Sequence, residues 1–213
     1  VLHTGGQRFK SSTAHQEKFT MVKFTKQTII QAFKGYKKKQ ITNEKLKPSA
    51  VLIPIFCNDG EYYILFSKRS EKVIFHKGQF CFPGGTYETD DANLLQTALR
   101  EAKEEIGLEA EDVEILGELD DCATRDTDYV ISPFAAFIPY PYTFKLDNKE
   151  VEQIITVPLS LLLEESQSRQ NSSSEDKGEP EPTYNYNGNV LWGATARILR
   201  QFSQLLCAQG KVY

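Results

Sequence analysis

No stretch of this 213-residue chain approaches the roughly 20 consecutive apolar residues that a helix needs to cross a bilayer, so a helical membrane span is excluded. Cysteines at metal or redox spacing are also missing. Cys57, Cys81, Cys122 and Cys207 lie far apart with no CxxC pair, which removes zinc ribbons and dithiol chemistry from consideration. Three of the four fall in apolar strand-like or helical stretches, so we expect buried free thiols in a reducing, cytoplasmic setting. Strong charge of either sign is absent as well. A formal net charge of -4 supplies no field that would draw the protein onto nucleic acid or an anionic membrane, and neither partner is expected. Methionine occurs once, at Met21. The 20 residues before it have neither a core pattern nor a continuous apolar run, and read as an N-terminal extension or a cloning remnant. What is present is ordinary for a globular protein, with 40% hydrophobic and 25% charged residues. A single domain over 21–213 is expected, with a homodimer left open.

The helical and strand periodicities can be read in order along the chain. "TKQTIIQAFKGYKKKQI" reads as a helix with Ile29, Ile30 and Phe33 on one face. Its run Lys37, Lys38 and Lys39 reads as a solvated helix end, the alternative being a phosphate-attracting patch. "SAVLIPIFCNDGEYYILFSKRS" gives two apolar runs joined by Asn58-Asp59-Gly60, a hairpin signal. A short strand ends in "FPGG", and "ANLLQTALREAKEEIGL" follows as an amphipathic helix with Gly107 at its stop. "VEILGELDDCA", "DYVISPFAAFIP" and "EVEQIITVP" predict strands, the last ending in a proline break before a short helix. Residues 166–182 are rich in Ser, Glu and Pro and are expected to form a mobile loop. The terminal segment predicts a turn or strand and then an amphipathic helix. Trp192, at the start of that helix, reads as a core residue rather than as a base-stacking one, and His76 reads as an exposed polar residue.

The unusual feature is three glutamates, Glu101, Glu104 and Glu105, within one helical turn directly after a Gly-Gly turn. Like charges at these spacings repel by roughly 0.2–0.5 kcal/mol per pair, so either something offsets them or they form a solvated face. Carboxylates held at close range bind hard divalent cations such as Mg²⁺. The Gly-Gly turn lets a backbone carbonyl, that of Gly84, face the same ion, and Arg100 is placed to steer a neighbouring carboxylate.

The stretch from Gly85 resembles the Nudix box, G-x5-E-x7-R-E-U-x-E-E-x-G-U, in Arg100, Glu101, Glu104, Glu105, Gly107 and Leu108, with Ala102 at the first U. Two departures stand out. The spacing from Gly85 to Arg100 is one residue longer than the box, and position +6 holds Asp91, which leaves the first-half glutamate absent or displaced to Glu88. Upstream, "ILFSKRSEKVIFHKGQFCFPGG" is similar to the motif of the coenzyme A pyrophosphatase-like family within the Nudix superfamily, through Leu65, Arg69, Ser70, Gly78 and Phe82 to Gly85. "WGATAR" at 192–197 resembles that family too. Ile74 stands where its second arginine is expected.

The resemblance implies a Nudix-type α/β/α sandwich with a mixed β-sheet. It implies a pyrophosphohydrolase that cleaves a nucleoside diphosphate linked to another moiety, with Mg²⁺ as cofactor and Mn²⁺ as an alternative. The implied catalytic residues are Glu101, Glu104, Glu105 and Arg100. The metal ligands are Glu101, Glu105, Glu104 and Gly84, and the substrate contacts are Arg69, Gly84 and Gly85. A further base would come from Glu150 or Glu152. Coenzyme A or a derivative is the expected substrate, with ADP-ribose, a dinucleotide or a non-catalytic binding module as alternatives.

Overall fold

The computed structural model describes residues 24–73, 77–170 and 181–209. The N-terminal extension, Ile74, His76 and the centre of the expected loop at 166–182 lie outside these described residues. Among them, ten strands and four α-helices follow one another in mixed order. They are α1 (Lys26–Phe33), β1 (Lys47–Asn58), β2 (Glu61–Arg69), β3 (Phe80–Cys81), β4 (Gly84–Thr86), α2 (Leu94–Ile106), β5 (Glu114–Glu118), β6 (Cys122–Ala123), β7 (Tyr129–Phe137), β8 (Val151–Pro158), α3 (Leu159–Gln170), β9 (Tyr184–Tyr186), β10 (Asn189–Leu191) and α4 (Gly193–Gln209).

Eight strands form one mixed sheet. Its path is β3-β2-β1-β7-β5, with β4 on β1, β6 on β7 and β8 on β2. β1 and β7 run parallel over nine paired positions, from Lys47↔Tyr129 to Ile55↔Phe137. The β1–β2 hairpin closes through Asp59 and Gly60, both at positive φ (51° and 82°), as its Asn-Asp-Gly signal predicts. β1 pairs with β2 only towards the hairpin. At its other end β1 pairs with β4, while β2 turns to β3. The sheet therefore forks, and the Gly-Gly turn lies in the fork.

Strand alternation sends the two sets of β1 side chains to opposite faces. Ala50, Leu52 and Phe56 pack with Ala98, Ala102 and Ile106 of α2. Ile53 and Ile55 pack with α1, α3 and α4 through Ile29, Leu162 and Phe202. This is the expected α/β/α arrangement. Alanines at the α2 contact allow the helix backbone to sit close to the sheet, which brings its polar neighbours to the fork.

Four sequence expectations need correction. α1 ends at Phe33, because Gly35 takes φ 79° and the following residues are tied to the β5–β6 connection: Tyr36 Oη donates to Asp120 at 2.6 Å and the Ile41 amide to Asp121 at 2.9 Å. Lys38 is accordingly no solvated helix end but lies within 2.7 Å of Glu118 and 3.3 Å of Asp121. α3 continues through Gln170, so 166–170 is helical and not loop. Once its Leu162 and Leu163 are anchored in the core, each added residue closes another backbone bond at little cost. Trp192 is 48% exposed, since the β9–β10 hairpin and the first turn of α4 leave it outside the core. None of the four cysteines is in a disulfide, and only Cys122 is fully buried while Cys57 is exposed.

Candidate active site

α2 starts and stops where its sequence dictates. The Asn93 side chain accepts from the Gln96 amide at 3.0 Å, and Gln96 returns a side-chain oxygen to the Ala92 amide at 2.7 Å. At the other end Gly107 is left-handed, with Gly107 N–H bonded to Lys103 O at 2.9 Å and Leu108 N–H to Ala102 O at 3.3 Å. The last turn is thereby fixed against the fork, and Glu105 is fixed with it.

Arg100 organises the first half of the site. Its Nε and Nη2 clamp Asp91 at 3.0 and 3.2 Å, Nη2 also donates to Thr86 O at 3.1 Å, and Nη1 donates to Glu101 and Glu104 at 3.0 Å each. A guanidinium has five N–H groups, and these contacts engage all five. Asp91 is 4% exposed and also accepts from Thr97 Oγ1 at 2.9 Å and the Glu88 amide at 3.0 Å. The Arg100 fork holds its carboxyl down at about 2, against the opposing effect of burial. The acid that partners Arg100 is therefore Asp91, at the box's own +6 position. Glu88 is exposed and reaches Arg100 only at 3.9 Å. Since Asp91 stands at position +6, the extra residue falls between Asp91 and Arg100, and the turn before it is closed by Asp91 N–H to Glu88 O at 3.1 Å.

The second half is less well satisfied. Glu105 is 3% exposed; it accepts from the Gly84 amide at 3.3 Å and faces Arg69 Nη1 at 3.9 Å. Burial pushes its carboxyl up to about 8, Glu101 and Glu150 push the same way, and Arg69 and the Gly84 amide only partly oppose them. Glu101 is also raised, again chiefly by burial. A Cβ on Gly85 would lie 2.3 Å from the Glu101 carboxylate, and one on Gly84 would lie 2.3 Å from Ala50 O. The two glycines thus let a carboxylate and a strand approach a backbone that any other residue would hold off.

The structure brings together Arg100, Glu101, Glu105, Gly84, Gly85 and Arg69. Glu104 is beside them but exposed at its tip. Arg69 ends β2 at a bulge against β8, and its buried Nε has no hydrogen-bond partner among the described residues. Of the two candidate bases, the charge of Glu150 acts on both Glu101 and Glu105, and its carbonyl accepts from the Ser70 amide at 2.8 Å. Glu152 instead pairs with Lys68 at 3.0 Å. Sequence reasoning missed Asp91 as the partner of Arg100. The signal was there, in the acid at position +6.

Among the described residues, no three His, Cys, Asp or Glu side chains gather at metal-ligand spacing. The donor chemistry nonetheless fits a hard cation: a buried Glu105 and a half-buried Glu101, with Arg100 already shared among Asp91, Glu101 and Glu104 and Arg69 no nearer to Glu105 than 3.9 Å. Mg²⁺ is commonly held by one or two carboxylates, with water and substrate phosphates completing the shell.

A forked mixed sheet between helical layers, with this acidic helix at the fork, defines a Nudix hydrolase. The NUDIX domain pattern matches residues 46–175, and the chain belongs to that family. Nudix hydrolases act on nucleoside diphosphate-linked small molecules and generally use divalent metal ions. The chain is similar to the uncharacterized Nudix hydrolase NudL of Yersinia enterocolitica, 34% identical over 159 residues that cover 73% of this chain and 80% of the relative. It is likewise similar to NudL of Yersinia pestis, 35% identical over 157 residues that cover 73% and 78%. Among solved structures, a MutT/nudix family protein from Enterococcus faecalis superposes with a TM-score of 0.52 at 14% identity, covering 93% of this chain and 76% of that one. The Ap4A hydrolase of C. elegans gives 0.50 at 16%, covering 76% and 99%. At these identities the structural likeness is one of fold. Among the described residues no helix is long and apolar enough to cross a membrane.

Proposed function

We propose that the chain is a Mg²⁺-dependent pyrophosphohydrolase acting on coenzyme A or a close derivative, with Mn²⁺ able to substitute. The observation that carries this reading is Glu105, buried against Gly84 with no cation nearer than Arg69 at 3.9 Å, beside a half-buried Glu101 whose Arg100 is shared with Asp91 and Glu104. Glu101 and Glu105 would hold the cation, with Glu104 and the Gly84 carbonyl as further donors. Such a cation would supply charge neutralisation of the diphosphate and a more acidic water. Arg100 is a positioning residue: every one of its N–H groups is engaged with Asp91, Thr86, Glu101 or Glu104, so it orients carboxylates and leaves no donor for substrate. Arg69 offers its unpartnered Nε to a diphosphate oxygen, in the planar geometry suited to phosphate. Glu150 takes the proton of the attacking water, since its charge already bears on both buried glutamates.

The upstream motif through Arg69, Ser70 and Gly78 supports coenzyme A as the substrate, and the lack of any disulfide among the four cysteines fits a reducing, cytoplasmic setting. Ile74, in place of the family's second arginine, favours ADP-ribose or a dinucleotide as the competing substrate. Mg²⁺-dependent hydrolysis of coenzyme A and of ADP-ribose, with products identified by mass, tests the choice. Faster turnover of coenzyme A supports the proposal, and turnover of ADP-ribose alone overturns it.

A further inference from the structure

The lysines of the segment that follows α1 carry a charge that hydrolysis at α2 does not use. Between this segment, the end of α1 and the second half of α4 lies a cleft of about 440 Å³. That volume falls within the roughly 300–1,000 Å³ of small-molecule sites. Lys34, Lys37, Lys39, Tyr36, Asp120 and Gln201 are among the residues that line it. α1 and α4 pack on the sheet face opposite α2, so the cleft and the acidic site lie on different sides of the sheet.

The backbone beside the cleft is held in place. Tyr36 N–H bonds Phe33 O at 3.1 Å, the Lys39 amide donates to Asp120 at 2.8 Å, and the Asp121 amide donates to Lys39 O at 3.0 Å. The nearby acids already have partners. Lys38 turns to Glu118 and Asp121, and one oxygen of Asp120 accepts from both Tyr36 Oη and the Lys39 amide. Lys34, Lys37 and Lys39 are exposed, and among the described residues no carboxylate pairs with their ammonium groups. The net charge of the chain is -4, so three unpaired lysines around one cleft reverse the local sign. Acceptors are left over as well. Gln201 Oε1 is buried and has no hydrogen-bond partner among the described residues, and neither has the second oxygen of Asp120. The terminal torsion of a glutamine is broad, so the Gln201 amide turns towards the cleft at little cost.

We propose that this cleft is a second ligand site, for a small phosphate monoester that also carries hydroxyl groups, such as a sugar phosphate. Lys34, Lys37 and Lys39 meet the phosphate oxygens as flexible point charges. The hydroxyls donate to Gln201 Oε1 and to the second oxygen of Asp120. An inorganic anion would meet the lysines alone and leave both acceptors without a donor. The site stands apart from the hydrolytic chemistry at α2, and its test needs no turnover.

The test is calorimetric binding of ribose 5-phosphate, inorganic phosphate and ribose to the full chain, with a chelator present so that no divalent cation loads the acidic site. Ribose 5-phosphate should bind, inorganic phosphate should bind about 10-fold more weakly, and ribose should not bind measurably. Lys37→Gln combined with Lys39→Gln should weaken ribose 5-phosphate about 10-fold, whereas Lys103→Gln, on α2, should leave it unchanged. Gln201→Leu removes an unsatisfied buried oxygen at similar volume, so the fold should persist while the preference over inorganic phosphate falls about 3-fold. No binding of ribose 5-phosphate, binding no tighter than that of inorganic phosphate, or unchanged affinity in the double lysine variant would each overturn the site. Affinity lost in Arg69→Gln but kept in the double lysine variant would place the ligand at the acidic site, and would overturn the inference too.

Discussion

Two buried carboxylates lie at the two ends of the α2 segment, and their surroundings push them in opposite directions. Asp91, just before the helix, has a bidentate arginine, a hydroxyl and an amide, and stays ionised down to about pH 2. Glu105, in the last turn, has one long amide contact and an arginine at 3.9 Å, and burial lifts it to about 8. The difference is one of partners, since both side chains are almost fully removed from solvent. A satisfied buried acid holds structure; an unsatisfied one stores an attraction for a cation. The first fixes the turn and Arg100, and through Arg100 aims Glu101. The second remains free to respond to a ligand.

The largest effect should come from removing the unsatisfied charge. Glu105→Gln keeps an acceptor for the Gly84 amide, so the fold should persist, while turnover falls about 10²-fold or more in steady-state assays. Asp91→Asn should instead cost about 2 kcal/mol in urea unfolding, because the Arg100 fork loses its charged partner. The sign of its pH dependence follows from a depressed acid. The advantage of wild type over Asp91→Asn is fully present above the ordinary carboxylate range near 4, and disappears as pH falls through about 2. A constant difference down to pH 2 would show that the clamp is not electrostatic.

Gly85→Ala sharpens the comparison by displacing Glu101 alone. The added methyl meets only the end of a flexible side chain, so unfolding free energy should change by less than about 1 kcal/mol while turnover drops about 10-fold. The smallest effect is expected at Trp192, which is 48% exposed. Trp192→Ala should shift stability by less than about 1 kcal/mol, well short of the roughly 3–5 kcal/mol of a core tryptophan, by the same unfolding measurement.

Much of this organisation was legible in the chain itself. Asn-Asp-Gly and the glycine at 107 act locally, through backbone conformations that few other residues adopt, and the hairpin and the helix stop fell where these residues stood. The acidic spacing on α2 was legible for the same reason. The Asp91–Arg100 clamp was missed because its acid is an aspartate standing one residue farther from the arginine than the motif's glutamate. The early end of α1 was also hidden. Tyr36 and Ile41 are pulled to Asp120 and Asp121 from a connection far along the sequence, and such tertiary bonds override helical periodicity. Trp192 was misplaced because a helical pattern says which face is apolar and not where the helix begins to be covered.

The central claim is that the poorly satisfied Glu105, together with Glu101, makes hydrolysis depend on a divalent cation. The direct measurement is the initial rate of coenzyme A hydrolysis as Mg²⁺ is varied, in wild type and in Glu105→Gln, with a chelator control. The account predicts a rate that saturates with Mg²⁺, vanishes with chelator and is at least about 10²-fold lower in the variant at every Mg²⁺ concentration. Full Mg²⁺-dependent turnover by Glu105→Gln would contradict it.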